Sequence, residues 1–584
     1  MKILKTLAFF ALGVGLLTSC GGGKPGGDKE VALKEAKGYY KEGDKKYKIY
    51  LGGIFRINEV EKFKNLFPQA NIDATSSRIL SQIYQGLYKF NQRTLEPELC
   101  LAESFEANED ASVWTFKIRK GVFFQDNECF SGGKGREMTA ADVKYSLDQL
   151  CIHGPNNPNA SILTDHVVGA QEYSDNPTGP GVKGIELLSD NSIRFSLNKA
   201  YSSFNSVLAH GACMIFPKEA IEYYGEDISK NPVGTGPFFV NKIDDNQVLL
   251  KKNPTYWEQD EHGNQLPYLD IVKITFTADK KSELNNFKKN NLDVVWKLPV
   301  DALESVLNDL QTAIEGGNPE YKYQQVNGLS TQFYAFNAVT PMFQNKDVRK
   351  AFNMAIDREG LIKHTMKGEG EPALHGFVPK MPLYNNSSIE GFEYNPKEAK
   401  ILLANAGYPG GKGFPDLTLY LNEGGKTNMV IANAIYNNLK DVLGIEINIE
   451  PLPQSILIER FATGNTDFAR TAWIADIPDP ADFLKLFYGK NVPSDPNARS
   501  LPNFSRYTND TFDKFFEAGM AAVDQEVKNN YFNKCDSILV EDAAVIPLFH
   551  DQYSRLIQNN VVGFPINAIE YRDLTRVFKT KETK

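Results

Sequence analysis

Asn395-Pro396-Lys397-Glu398-Ala399-Lys400-Ile401-Leu402-Leu403-Ala404-Asn405-Ala406-Gly407, followed by Leu417-Thr418-Leu419-Tyr420-Leu421, is the stretch that decides the fold class. Asn395 and Pro396 have the chemistry of an N-cap and a first helical residue. Ala399, Leu402, Leu403 and Ala406 then form an apolar helical stripe that Gly407 ends. Leu417, Leu419 and Leu421 alternate with other residues, as in a strand. Residues 427–443 read as a second helix stopped by Gly444, and Ile445, Ile447 and Ile449 as a second strand. The order helix, strand, helix, strand implies a βαβ crossover, and with it a largely parallel sheet covered by helices on both faces.

Outward from this stretch the same periodicities continue. Thr139-Ala140-Ala141-Asp142 resembles a capping box ahead of Val143, Leu147, Leu150 and Cys151. Val348, Ala351, Phe352, Ala355 and Ile356 mark another helix. Trp114, Phe116 and Ile118, and later Val272, Ile274 and Phe276, alternate as strands; residues 113–119 and 192–276 are strand-rich with turn signals. The expectation is an α/β protein with one compact α/β lobe in the second half, a more mixed first half and no internal repeat. A length of 584 residues allows about three to five structural units, with ample core and no need of a disulfide framework.

Composition narrows the function. Hydrophobic residues at 42% and charged residues at 23% are globular values, which excludes disordered, collagen-like and polytopic membrane chains. A net charge of -9 disfavours nucleic acid as a partner, because phosphate neutralisation needs a basic surface. Seven scattered histidines, with no i, i+4 or H-x-H spacing, disfavour a multi-histidine metal site. No HExxH, GxSxG or paired CxxC occurs. Ser131-Gly132-Gly133-Lys134-Gly135 lacks the order of a phosphate loop, and Gly234-Thr235-Gly236-Pro237-Phe238 lacks the third glycine of a dinucleotide loop. Both read as turns. No catalytic residue, metal or cofactor is therefore expected.

The start of the chain reads as an address. Lys2 and Lys5 precede the apolar run Leu7–Leu17, which is too short to span a bilayer and has signal-peptide proportions. It ends in Leu17-Thr18-Ser19-Cys20, which resembles the lipobox of bacterial lipoproteins, with a lipid expected on Cys20; a plain secretory signal is the alternative. The Gly-rich stretch after it reads as a flexible tether. The expected location is the bacterial cell envelope, lipid-anchored to a membrane and facing the periplasm or exterior. Cys100, Cys129, Cys151, Cys213 and Cys535 remain in the body. Cys129 and Cys151 flank one loop-helix unit in an oxidising compartment, so a disulfide between them is one expectation. Five buried thiols is the other.

A succession of segments now adds a resemblance. Ile83-Tyr84-Gln85-Gly86-Leu87 is followed by Glu96-Pro97-Glu98-Leu99, then by Trp114-Thr115-Phe116-Lys117-Ile118-Arg119-Lys120-Gly121-Val122 and Met138-Thr139-Ala140-Ala141-Asp142-Val143. Pro232-Val233-Gly234-Thr235-Gly236-Pro237-Phe238 and Asp347-Val348-Arg349-Lys350-Ala351-Phe352 come later. In order and number these resemble the family 5 extracellular solute-binding proteins, the dipeptide, oligopeptide and nickel binders that feed ABC importers. The likeness covers about residues 79–565. A longer Asn127–Arg136 loop, holding Cys129, replaces the family's short Asp-Gly turn.

The resemblance implies a periplasmic-binding-protein type II fold of two lobes joined by a two-segment hinge. It places a signal peptide at 1–19, a lipidated tether at 20–45, lobe I at 46–325 with an inserted subdomain near 92–200, lobe II at 326–545, and a return to lobe I at 546–584. The hinge lies near Gly328–Phe336 and Val545–His550. Arg470-Thr471-Ala472-Trp473-Ile474-Ala475-Asp476 is similar to the family segment in which an Asp three residues after a Trp receives a peptide's α-amino group. Asp476 takes that role by resemblance, Arg470 takes part in carboxylate recognition, and Trp473 lies between them. The chemistry agrees, since an ammonium leaving water needs a carboxylate and a carboxylate needs a guanidinium. Phe333 and Tyr334 belong to a strand expected to lend backbone groups to the ligand. The implied function is capture of short peptides by a monomer and delivery to a permease and ATPase. A metal chelate, haem or sugar ligand, an adhesin or receptor role, and a lipoprotein hydrolase are the rivals.

Overall fold

The structure, a computed structural model, describes residues 31–581 apart from 72, 155–156, 299, 318, 382–383, 424, 497 and 523. The expected signal segment and Cys20 lie outside the described residues. No helix among them is long and apolar enough to cross a membrane.

A seven-stranded sheet is the spine of the second half. Six of its strands lie in the order Val294–Trp296, Val545–Gln558, Tyr321–Phe336, Phe468–Ile474, Thr418–Asn422 and Asn448–Leu452, and Glu371–Pro372 adds to Val545–Gln558. Only the pairings of Thr418–Asn422 with its two neighbours are parallel; the other neighbours run antiparallel. The expected largely parallel sheet is thus a mixed one. The crossover read from residues 396–450 is present, with helix Gly425–Asn438 joining two parallel strands, but long-range antiparallel partners leave no local periodic signal. Tyr321–Phe336 shows why both faces are covered. Leu329, Phe333 and Ala335 enter one buried cluster, while Tyr334 and Phe336 enter another on the opposite face. A fully buried Phe or Leu contributes about 1.5–3 kcal/mol of transfer free energy, so these two layers fix the strand's register.

The two longest strands, Tyr321–Phe336 and Val545–Gln558, pair antiparallel from Tyr321↔Gln558 to Ala335↔Val545. At one end they join Val294–Trp296 of the first lobe, and at the other the strands of the second. Their ladder slips between Asn327 and Thr331, where Gly328 lies over the Tyr553 ring; a Cβ there would stand 2.7 Å from a ring carbon. Both crossing segments are therefore continuous strands with a local irregularity, and loops play no part in the crossing.

The first lobe holds the sheet Phe238–Asp244, Gln247–Lys252, Ile271–Phe276 and Ile54–Glu59. Val561, Phe564, Leu574 and Val577 from the end of the chain complete its core. Glu59 accepts from Arg78 (2.8 Å) and Arg572 (2.5 Å), which ties the first strand to that returning segment. A second, antiparallel sheet, Ala102–Ala107, Val113–Ile118, Ser192–Ser196 and Ile185–Ser189, packs with helix Ala140–Leu150, whose capping box is formed. Its core draws on residues from Leu87 to Val233.

Two expectations need correction. Lys34–Glu42 and Lys45–Leu51 form a hairpin whose Ala36 and Ile49 are buried against Leu266, Tyr268 and Phe578, so packed structure is already present before residue 46, where lobe I was expected to begin. Cys129 and Cys151 are both free thiols. Cys129 neighbours Arg136, which binds Asp142 in the first turn of helix Ala140–Leu150, while Cys151 is that helix's C-cap. Eleven helical residues separate those ends by about 16 Å, whereas a disulfide needs Cα atoms closer than about 7 Å.

Candidate functional site

Strand Phe468–Ile474 has one complete side and one incomplete side. Along one edge it pairs throughout with the hinge strand, from Phe336↔Phe468 to Ser330↔Ile474. Along the other it pairs only through Leu419↔Phe468 and Tyr420↔Ala469. From Arg470 onward no strand among the described residues pairs with that edge, and Ile474 is 42% exposed. The free edge offers main-chain donors and acceptors to an extended ligand.

Arg470 stands where the edge opens. Its guanidinium donates to Asn422 Oδ1 (2.7 Å) and to Gln332 Oε1. Gln332 in turn donates to Asp551 (2.8 Å), which also accepts from Ser330 Oγ (2.5 Å). Arg470 thus meets neutral amides directly and a carboxylate only at second remove. Burial pushes its pKa down, against the pull of Tyr334 and Asp551. A half-buried guanidinium held by neutral amides remains able to receive an anion.

At the other end the chain turns after Ala475, whose N–H donates to Leu329 O (2.9 Å). Asp479 caps the short helix Pro480–Leu484, with Pro480 at its first position. That helix brings Asp482 back beneath the strand. One oxygen of Asp482 accepts from the Trp473 indole (3.0 Å) and the Asp476 N–H (2.9 Å), and the other from Lys485 Nζ (2.5 Å). Lys485 also lies 4.8 Å from the centre of the Trp473 ring and 4.0 Å from the Asp476 carboxylate. Asp482 is 3% exposed and fully engaged, whereas the Asp476 side chain is 48% exposed. Protein crowding and the Asp482 charge nevertheless push the Asp476 pKa up, opposed by His210 and Lys485. Burial works against the charge on Lys485, but Asp482 and Asp476 outweigh it and raise its pKa.

The opposite wall comes from the first lobe. His210 is half-buried; desolvation there lowers its pKa, and it feels Asp476, Lys485 and Asp482. His166 stacks on Tyr201 at 4.8 Å; burial and Lys485 bring it to about 4. Ile477 packs against the core that holds Leu87 and Val233, and Lys528 donates to Ser203 Oγ (3.0 Å) while pairing with Asp479. The two lobes therefore meet around Asp476.

Three of the sequence-predicted residues, Arg470, Trp473 and Asp476, fall on this one strand and its exit. Phe333 and Tyr334 do not line it. Both are buried in the core, and their backbones pair with Thr471 and Arg470 on one side and with Pro547 and Ile546 on the other. A strand in the middle of a sheet has no spare edge, and sequence alone does not tell middle from edge. Asp482 and Lys485 were missed, although the Asp479-Pro480 cap signal announces the helix that carries them. His166 and His210 arrive from distant stretches with no local signal. Among the described residues no cluster of His, Cys, Asp and Glu could hold a metal ion.

Comparison with known proteins gives concordant findings. The family model "Bacterial extracellular solute-binding proteins, family 5 Middle" matches residues 96–495. The chain is 24% identical to the periplasmic oligopeptide-binding protein OppA of Salmonella typhimurium over 88% of this chain and 91% of that protein. It is 24% identical to the dipeptide-binding protein DppE of Bacillus subtilis over 98% and 99%, and 26% identical to heme-binding protein A of Haemophilus influenzae over 86% and 88%. The fold superposes with a TM-score of 0.77 on the ABC transporter-associated periplasmic binding protein DppA of Helicobacter pylori, solved with the peptide STSA. That match has 25% identity and covers 91% of this chain and 99% of that one.

Proposed function

Because the chain belongs to the bacterial extracellular solute-binding proteins, family 5, we propose that it is the substrate-binding component of an ABC importer and captures short peptides between its lobes. The observation that carries this is the half-free strand Phe468–Ile474, with a cation at its opening and a carboxylate at its exit. A peptide whose ammonium meets Asp476 and whose carboxylate approaches Arg470 runs antiparallel to this strand. Six residue steps at about 3.3 Å set an upper span of roughly 20 Å between the two charges. Main-chain pairing along the edge ignores side chains, which suits a broad peptide range. The charge balance agrees as well, since Asp476, Asp482 and Lys485 leave one net negative charge for an incoming ammonium.

The reading extends to a monomeric lipoprotein held at the cell envelope through Cys20, handing peptide to permease and ATPase subunits with no covalent step and no cofactor. Native mass spectrometry of the protein purified from its own cells tests it. Bound masses that fragment as peptides are expected; haem, an oligosaccharide or a metal chelate in their place overturns the peptide reading.

A further inference from the structure

The hairpin Lys34–Leu51 carries six lysines and three acidic residues in a chain whose net charge is -9. Its pairing sorts them by face. Tyr40 lies opposite Tyr47 on the inner side, where the Tyr40 ring meets Phe578 edge-on at 5.8 Å. On the outer side Lys41 lies directly opposite Lys46, and Tyr39 opposite Lys48. Like charges facing each other across a strand pair oppose its formation. Neither Lys41 nor Lys46 has a carboxylate within ion-pair distance among the described residues, and Lys48 instead rests over the exposed Tyr39 ring at 5.2 Å.

This face is held rigidly. Lys37 exchanges both backbone groups with the Asn264 side chain, at 3.0 and 2.8 Å. Gly38, at φ 78°, lies so close against His262 that a Cβ would fall 2.1 Å from the ring. A repulsive set of lysines, fixed to the body and facing outward, is organised for an external anionic surface.

We propose that this outer face, Tyr39, Lys41, Lys46 and Lys48, docks on anionic phospholipid headgroups. The inference rests on the reading of the chain as an envelope-anchored binder. Cys20 precedes Lys34 by 14 residues, a length that as a random coil would reach about 20 Å. On that reading the hairpin is the described element nearest in sequence to the membrane that would hold the lipid. Attraction to an anionic surface acts within about 10 Å, so docking draws the body down and fixes its orientation. Each lysine near such a surface strengthens binding about fivefold, and three together roughly 100-fold.

The test uses the chain from Gly21 onward, without an acyl group, sedimented with vesicles of phosphatidylcholine alone or with added phosphatidylglycerol. Binding only to the phosphatidylglycerol vesicles, lost in high salt, is expected. Lys41→Glu/Lys46→Glu/Lys48→Glu should weaken it at least 100-fold while leaving peptide affinity unchanged, which shows the fold intact. Lys120→Glu/Lys183→Glu/Lys412→Glu, the same change in net charge at exposed sites elsewhere, should retain most of it. Equal binding to both vesicle types, no binding to either, or equal loss in the two triple variants overturns the proposal. Acylation of Cys20, scored separately by fatty-acid labelling in cells, distinguishes failure of the anchor from failure of the hairpin.

Discussion

Asp476→Asn removes a charge and leaves the shape of the side chain almost unchanged, so its effect on peptide binding reports electrostatics. Breaking a buried ion pair by removing one partner costs about 3–5 kcal/mol. Two features of the site place Asp476 at the bottom of that range or below it. Its side chain keeps 48% of its surface accessible, which screens the interaction. The Asp482 carboxylate, 2.9 Å from the Asp476 N–H, is also untouched by the substitution and still attracts an ammonium. About 2–3 kcal/mol is therefore expected, or roughly 30- to 150-fold in Kd. Calorimetry with one peptide, free and N-acetylated, against wild type and Asp476→Asn gives the four corners of a cycle. The free peptide should lose 30- to 150-fold on substitution and the acetylated peptide almost nothing. Equal weakening of both forms, or of neither, would refute the assignment and leave Asp476 as a structural residue of the turn.

The raised pKa of Asp476 fixes the sign of a pH effect: affinity for a free-amine peptide should fall with acidification, beginning above the ordinary carboxylate range, and in Asp476→Asn calorimetry should show a flatter profile. Asp482→Ala leaves the Trp473 indole and Lys485 without their shared acceptor, so weaker binding by about tenfold and an altered tryptophan emission spectrum are expected, the latter even without ligand. Ser203→Ala removes the first-lobe end of the Lys528 bridge, which should cost closure about 1 kcal/mol, weaken peptide about fivefold and raise the ligand-free radius of gyration in small-angle scattering. Cys20→Ser should abolish fatty-acid labelling, and equal labelling of wild type and variant would exclude the lipoprotein reading.

What the sequence made legible was local. The capping box at Thr139, the Asn395-Pro396 helix start and the crossover at residues 396–450 all rest on neighbours within a few positions, and all three are present. Tertiary pairing was less visible. Nothing in Tyr321–Phe336 announces that both of its edges are occupied, and so Phe333 and Tyr334 were expected at the ligand and lie in the core. Arg470, Trp473 and Asp476 are candidates through resemblance alone, and the fold places them on one strand and its exit. The partners that tune them, His210 and His166 from the first lobe and Asp482 from the next helix, depend on how segments far apart in sequence pack.

The half-free strand has a consequence for the empty protein. A row of unsatisfied amides and carbonyls held ready for cargo is equally ready for a strand of another molecule, and such edges seed aggregation. The protein confines this hazard by position. The edge lies between two lobes, it is only about five residues long, and a charged residue stands at either limit of it, Arg470 and Asp476. A stray strand from a neighbouring copy would have to enter the cleft and match both charges with free termini, which an internal segment of a folded chain does not possess. On the proposed reading, the charges that would admit a short peptide are in this sense also gatekeepers that shield the fold from its own kind.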